Sequence, residues 1–436
     1  MPQIELPVLV AEAQGYIAKN YATALIDRSK TAELKSYIGK YLYDTGYSVL
    51  GYDTRHLIDR LYTEMAEYSI LTQYLSDPDV EEVNVNGWDD IAITHLDGHI
   101  EKTEEHFFSP AHAIDIVKKL LQHSGMILDN ASPMAQGHLP GNTRITALKE
   151  PIVDADRGVA ISIRMLHPQR VDRDMLLHTE TVTEEMLSFL ETCLRYGVSY
   201  VVAGRTSSGK TTLLNSLLGS IPDSKRIYSI ESGARELSLV KRDAEGKVIN
   251  NVVHTLSRPS DNAQYDISQE DLVMAALRFD PDVVVIGEMR DAEAHSAVEA
   301  SSTDHTVVTT VHGGGGRFAH QRIAFLSQRR FPIDMKISLQ QAALAFPVVV
   351  FAHKLENNAR KVMDISECEV TAEGELIYHT LYHYHIRNNV YVNGVFHIEG
   401  EFVKDNPPSD SLCQKLIRGG IPQEILAKFT GKEMNP

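Results

Sequence analysis

Residues 200–211 read Tyr-Val-Val-Ala-Gly-Arg-Thr-Ser-Ser-Gly-Lys-Thr, an apolar run that ends in Gly204-x4-Gly209-Lys210-Thr211. It continues into the helical pattern Thr212-Leu-Leu-Asn-Ser-Leu-Leu218. A short strand that enters a glycine-flanked loop and then a helix is the setting of a phosphate-binding P-loop. The glycines let backbone N–H groups curl around a β-phosphate without side-chain obstruction, and the helix N-terminus adds positive potential. In such a loop Lys210 pairs with the β- and γ-phosphates and the Thr211 hydroxyl ligates magnesium. The candidate nucleotide-binding residues are therefore Gly204, Arg205, Thr206, Ser207, Ser208, Gly209, Lys210, Thr211 and Thr212, with ATP and Mg2+ as cofactors.

Downstream of this loop, strand and helix patterns alternate. The segments are Tyr200–Ala203, helix 209–218, Ile227–Glu231, helix 269–278, Val283–Gly287, helix 292–301 and Val307–Val311. Short β-branched runs separated by helices predict a mainly parallel sheet covered on both faces. Upstream, Leu34, Ile38 and Leu42, then Leu57, Ile58, Leu61 and Met65, recur at helical spacing. Strand character follows at Val80–Gly87 and Ile91–Thr94, with Asp97-Gly98 as a turn. Ser109-Pro110 starts a helix whose apolar face is Ile114, Ile116, Val117, Leu120 and Leu121, and Gly158–Arg164 is a further strand. The charged, proline-containing segment from His167 reads as a linker. Thr181 with Glu184 fits a capping box for a helix that ends before Gly197. The expected division is a helical extension (1–70), an α+β domain (71–166), a linker (167–182), the P-loop domain (183–386) and a C-terminal tail packed on it (387–436).

The composition is that of an ordinary globular protein, with 43% apolar and 23% charged residues in a chain of 436. Its 42 basic against 59 acidic residues give −17, which weighs against non-specific binding to nucleic-acid phosphates. Attachment to an anionic membrane would need a local basic patch or a protein adaptor. Cys193, Cys368 and Cys413 form no CxxC pair and read as buried thiols. Apolar stretches such as 342–352 fall short of a spanning helix, and the first residues show no signal peptide, so a cytoplasmic location is expected.

Three further positions carry chemistry. Asp280-Pro-Asp-Val-Val-Val-Ile-Gly-Glu288 is an apolar strand that ends in a carboxylate, where P-loop proteins polarise the attacking water, so Glu288 is the candidate general base. Glu231 ends another such strand and offers a second carboxylate near magnesium. His312 follows Thr306–Val311 and could contact the γ-phosphate. His379, His383 and His385 would share one face of a regular strand, but a polar strand face is favoured there over a metal site.

The set Gly204–Thr211, Glu231, Gly287-Glu288-Met289-Arg290-Asp291 and Thr310-Val311-His312 resembles the Walker A, Asp box, Walker B and His box of the secretion ATPase superfamily, which serves type II secretion, type IV pili and type IV secretion. Outside that core the chain is most similar to the CpaF-like ATPases of tight-adherence (Flp) pilus assembly. The likeness rests on Asp77–Gly87, Ala131-Ser-Pro-Met134 with Leu139–Ile145, Ala160–Arg164 and Val392–Gly400. The resemblance implies an α/β fold with a RecA-like P-loop motor domain, a preceding α+β N-terminal domain and a helical N-terminal extension. It implies six chains in a ring, ATP between the two domains, and a polytopic inner-membrane platform protein as partner. The machine would sit at the inner face of the cell membrane, attached through partners. Arg144 and Arg164 match arginines that such N-domains bring to the phosphates, and Arg290 joins the catalytic set through its motif. Two departures stand out: Ser232 replaces the Asp-box aspartate, and four glycines, Gly313–Gly316, follow His312. A conjugative or nucleic-acid translocase, and a weakly active regulatory ATP-binding subunit, remain alternatives.

Overall fold

A computed structural model of the chain describes residues 2–26, 28–122, 124–139, 143–165, 172–233, 235–258 and 264–431. It divides into two compact units, 1–166 and 167–436.

The first unit opens with helices Leu6–Asn20, Ala22–Ile26, Thr31–Thr45 and Thr54–Ala66. Leu9, Ile17, Leu34, Ile38 and Leu61 are buried together, so these helices hold a core of their own. Six strands follow: β1 (Val80–Gly87), β2 (Asp90–His95), β3 (Ile100–Lys102), β4 (Met134–Leu139), β5 (Thr143–Lys149) and β6 (Val159–Met165). They form an antiparallel sheet in the order β3-β2-β1-β6-β5-β4. Residues of β5 and β6 alternate strictly between buried and half-buried, the mark of a sheet with one face in the core. The helix Pro110–Gln122 covers that face with Ile116, Val117, Leu120 and Leu121, and Ser109 Oγ caps it by accepting from His112 N at 3.1 Å.

The second unit carries nine strands: β7 (Tyr200–Gly204), β8 (Arg226–Ser232), β9 (Asn251–Ser257), β10 (Val283–Met289), β11 (Thr306–His312), β12 (Val348–Lys354), β13 (Arg360–Val370), β14 (Leu376–Val392) and β15 (Val395–Lys404). Their order is β15-β14-β13-β12-β7-β11-β10-β8-β9. Strands β12, β7, β11, β10, β8 and β9 are parallel, and β13 to β15 extend the sheet antiparallel. Alternate residues of the central strands feed two cores. Val202, Val285 and Val308 pack with the helices Glu184–Arg195 and Lys210–Leu218 and the C-terminal helices Asp410–Arg418 and Gln423–Thr430. Val201, Val284 and Val307 pack with Gln269–Ala276, Glu293–Ser302, Arg317–Ser327 and Met335–Ala345. This is the covered, mainly parallel sheet that the alternating pattern predicts.

Local details differ from the sequence reading. Within the expected linker, residues 167–171 lie outside the described residues, and Arg173–His178 forms a helix capped by Asp172. Thr183 rather than Thr181 caps the next helix. Its Oγ1 accepts from Met186 N at 3.3 Å, whereas the Thr181 hydroxyl meets that of Thr179 at 2.9 Å. Strand β9 was not foreseen; it is a half-exposed edge strand of mixed polarity that lacks the apolar signature of its neighbours. Strand β14 runs unbroken through the position where the C-terminal tail was expected to begin. Among the described residues no helix is long and apolar enough to cross a membrane.

Candidate nucleotide-binding site

Every residue of β7 is buried, which fixes the strand's carboxyl end firmly in the sheet. Gly204 is paired with His312 of β11 on one side and with Ala352 of β12 on the other. A Cβ at position 204 would fall 2.4 Å from the Ala352 carbonyl oxygen and 2.4 Å from Ser208 Oγ, so only glycine passes. The loop then turns through left-handed conformations at Ser207 (φ 61°) and Gly209 (φ 88°) before the helix begins at Lys210. Lys210 is buried and its Nζ donates to the Arg205 carbonyl at 2.9 Å. Thr211 and Thr212 stand half-buried in the first helical turn, beside its unbonded amides. From β13, Arg360 Nε donates to the Ser207 carbonyl at 3.2 Å and its stem lies against Gly209.

The strand order sets β11, β10 and β8 in sequence beside β7, so their carboxyl ends present His312, Glu288 and Glu231 in one row. Glu288 Oε2 lies 2.5 Å from an Arg290 guanidinium nitrogen. His312 Nε2 is 2.8 Å from Glu288 Oε1, at ion-pair distance but without the alignment of a hydrogen bond. Burial raises the Glu288 carboxyl, but the Arg290 hydrogen bond and the charges of Arg290, His312 and Lys210 outweigh it, holding the group below its ordinary range and ionised. Burial, with Lys210 and Arg290 nearby, depresses His312 despite Glu288, which favours the neutral imidazole. Thr310 Oγ1 donates to the Gly287 carbonyl at 2.8 Å and so ties β11 to the end of β10. Buried Glu293 accepts from the backbone N–H groups of Arg290 and Asp291 and fixes the turn after Glu288.

Glu231 sits in a different environment. Its Oε1 accepts from the N–H groups of Glu236 (2.7 Å) and Leu237 (3.0 Å), a few residues beyond the exposed Ser232. Its Oε2 lies 4.0 Å from His254 Nδ1 of β9. Burial pushes the Glu231 carboxyl up to about 7, while burial and the Arg235 charge push His254 down to about 4. Near pH 6 the two thus face each other as neutral groups rather than as an ion pair.

A carboxyl whose folded pKa is raised contributes stability that is full below about 4.5 and is lost as pH climbs through about 7. Without nucleotide, the parent should lose about 3 kcal/mol more stability than Glu231→Gln between pH 4.5 and 7.5. Urea titrations at the two pH values measure it, and parallel losses in both proteins would contradict the buried-acid account.

Three polar atoms of this row, Ser208 Oγ, Glu231 Oε2 and Glu288 Oε1, are buried without a hydrogen-bond partner among the described residues. Buried polar groups are normally satisfied, so the orphans fit a polar ligand such as a nucleotide with its magnesium. A cleft of about 700 Å³ opens beside the loop, lined by Arg205, Thr206, His312, Gly313, Phe351 and His353. Phe351 and His353 were not foreseen, because nothing local in the sequence places β12 next to β7. Within the glycine run after His312, Gly315 has a steric basis: a Cβ there would sit 2.7 Å from Phe351 Cβ, so that position lies against β12 only without a side chain.

Arg144 and Arg164 lie in the first unit, directly opposite each other on β5 and β6, with His138 of β4 opposite Arg144. Arg164 comes within 3.6 Å of Glu81. Burial and the Arg144 charge push His138 down to about 4, so it stays neutral in this row. Like charges directly opposite on a sheet are destabilising. The rings of His383 and His385 meet at 6.1 Å, but His379 does not share their face. A register shift next to Leu381 breaks the period of two, and His379 pairs with Glu369 at 2.9 Å while His383 pairs with Asp405 at 2.6 Å.

A family model described as type II/IV secretion system protein matches residues 64–373. The chain belongs to that family. An uncharacterised protein of Methanocaldococcus jannaschii is 29% identical over 248 residues, covering 57% of this chain and 43% of the relative. The type IV secretion system protein PtlH of Bordetella pertussis is 32% identical over 184 residues, covering 41% and 52%. The aligned segments thus span about half the length of these curated relatives. Among solved structures, the VirB11 ATPase of the Brucella suis type IV secretion system, in complex with sulphate, aligns at 21% identity with a TM-score of 0.35, covering 68% of this chain and 94% of that one.

Proposed function

We propose that the chain is an ATP-hydrolysing motor subunit of a type II/IV secretion or pilus-assembly machine. The observation that carries this reading is a carboxylate held ionised by Arg290, with neutral His312 beside it, two strands from a P-loop whose lysine is buried. In this reading Lys210 pairs with the β- and γ-phosphates, and residues 204–212 wrap them with backbone N–H groups. Thr211 holds magnesium, with Glu231 nearby; the ion, when bound, offsets charge that develops on the phosphates. Glu288 accepts the proton of the attacking water, and Arg290 keeps it deprotonated for that role. His312, tied through β11 to the loop strand, reports the state of the γ-phosphate. In the same reading Arg144 and Arg164 supply cations to the phosphates, as the family resemblance implies.

Six such chains in a ring would couple hydrolysis to ligand-driven closure of the first unit and pull on an inner-membrane platform protein, in a tight-adherence type of pilus machine. The reading is tested on the purified chain with ATP and Mg2+, by phosphate release and by sedimentation. Steady phosphate release by a hexamer, with no stimulation by duplex DNA, is the expected result. Release that requires DNA and falls steeply with salt would favour a nucleic-acid translocase instead.

A further inference from the structure

We infer that the β2–β3 hairpin of the first unit carries a divalent transition-metal site of the zinc type, built from His95, His99 and Glu101. Strand register brings the three residues together. Ile93 is opposite Glu101 and Thr94 opposite Ile100, and the His95 N–H donates to the His99 carbonyl at 2.9 Å. His95 and His99 therefore face each other across the hairpin. The period of two along β3 puts Glu101 on the same face as His99.

The turn is locked rather than loose. Gly98 takes the left-handed conformation (φ 86°) and donates to the His95 carbonyl at 2.9 Å, and Asp97 Oδ1 accepts from His99 N at 2.8 Å.

The donor atoms of the three side chains all lie within 4.8 Å of one another, and His95 Nε2 is 3.5 Å from Glu101 Oε1. Ligands at ~2.0–2.1 Å from a tetrahedral zinc are separated by about 3.3–3.4 Å, so this pair already spans the edge of such a site. Rotation of the exposed His99 side chain would close the two remaining edges.

An ordinary surface ion pair accounts for one imidazole and one carboxylate, but not for a second imidazole converging on them. Two nitrogens and one oxygen select zinc, copper or nickel over magnesium or calcium, which prefer oxygen sets. Three protein ligands leave a fourth position to water, and partial exposure at the rim of the sheet provides an entry path. A bound ion would fasten β3, a three-residue edge strand exposed throughout, to its neighbour.

The test uses the full chain, stripped of metal with a chelator and titrated with Zn2+ in the absence of nucleotide. One zinc should bind per chain, and His95→Ala, His99→Ala and Glu101→Gln should each weaken binding at least about tenfold, since even outer-shell partners cost that much. Circular dichroism checks that the variants fold. Co2+ gives a second readout: the intense visible bands of a tetrahedral site should appear in the parent and vanish in His99→Ala. An unchanged zinc isotherm in the His95→Ala/His99→Ala double variant, or a cobalt spectrum that survives it, overturns the assignment.

Discussion

Replacement of Lys210 by alanine is expected to lower ATP turnover by at least about a thousandfold, the scale on which phosphoryl-transfer sites depend on a single well-placed cation. Lys210 is buried at the start of the helix, and its Nζ is directed back into the loop, on the Arg205 carbonyl. A phosphate entering the loop would find that ammonium with little water to screen it, so its removal costs both binding and transition-state charge. The loop itself should survive, because Gly204, the Gly209 turn and the Arg360 contact shape it from outside the lysine. The variant should therefore melt close to the parent while failing to release phosphate. Equal phosphate-release rates in the two proteins would remove the nucleotide assignment.

Glu288→Gln should behave differently. Amide for carboxylate keeps the volume at the end of β10 but takes away the proton acceptor, a loss of about 10²–10⁴ in rate for general-base catalysis. Nucleotide affinity should stay near that of the parent, because Lys210 and the loop amides are intact. The pairing of slow turnover with tight binding separates Glu288 from Lys210, and fluorescent ATP-analogue titration alongside single-turnover hydrolysis reads both. Parent-like turnover in Glu288→Gln would move the base elsewhere, with Glu231 next in line. Glu231 is the weaker candidate on physical grounds, because burial holds it protonated up to about 7 whereas Arg290 keeps Glu288 ionised.

Much of the fold was legible because its signals are local. Gly204-x4-Gly209-Lys210-Thr211 announces strand, loop and helix within a dozen positions, and Val283–Ile286 reads as a buried strand from its own composition. What stayed hidden depends on pairing between distant segments. Arg360 and His353 reach the loop only because β12 and β13 are laid beside β7, and the hydrophobic pattern of those strands does not specify a neighbour. Glu231 and His254 were not readable as a neutral pair, since β9 carries no strong strand signal. For the C-terminal histidines, periodicity put all three on one face, and one irregular residue in the ladder separates His379 from His383 and His385. In the first unit the Asp97-Gly98 turn was plain in the sequence, yet the residues it draws together emerge only with the register of β2 and β3.

The contact between Arg360 and the Ser207 carbonyl joins residues 153 positions apart. Strand β7 is likewise flanked by β11 and β12, both of which follow it far along the chain. During synthesis, then, the loop emerges long before the strands that seat it. A nascent chain that stops short of β11 exposes the loop sequence without either of the strands that flank β7.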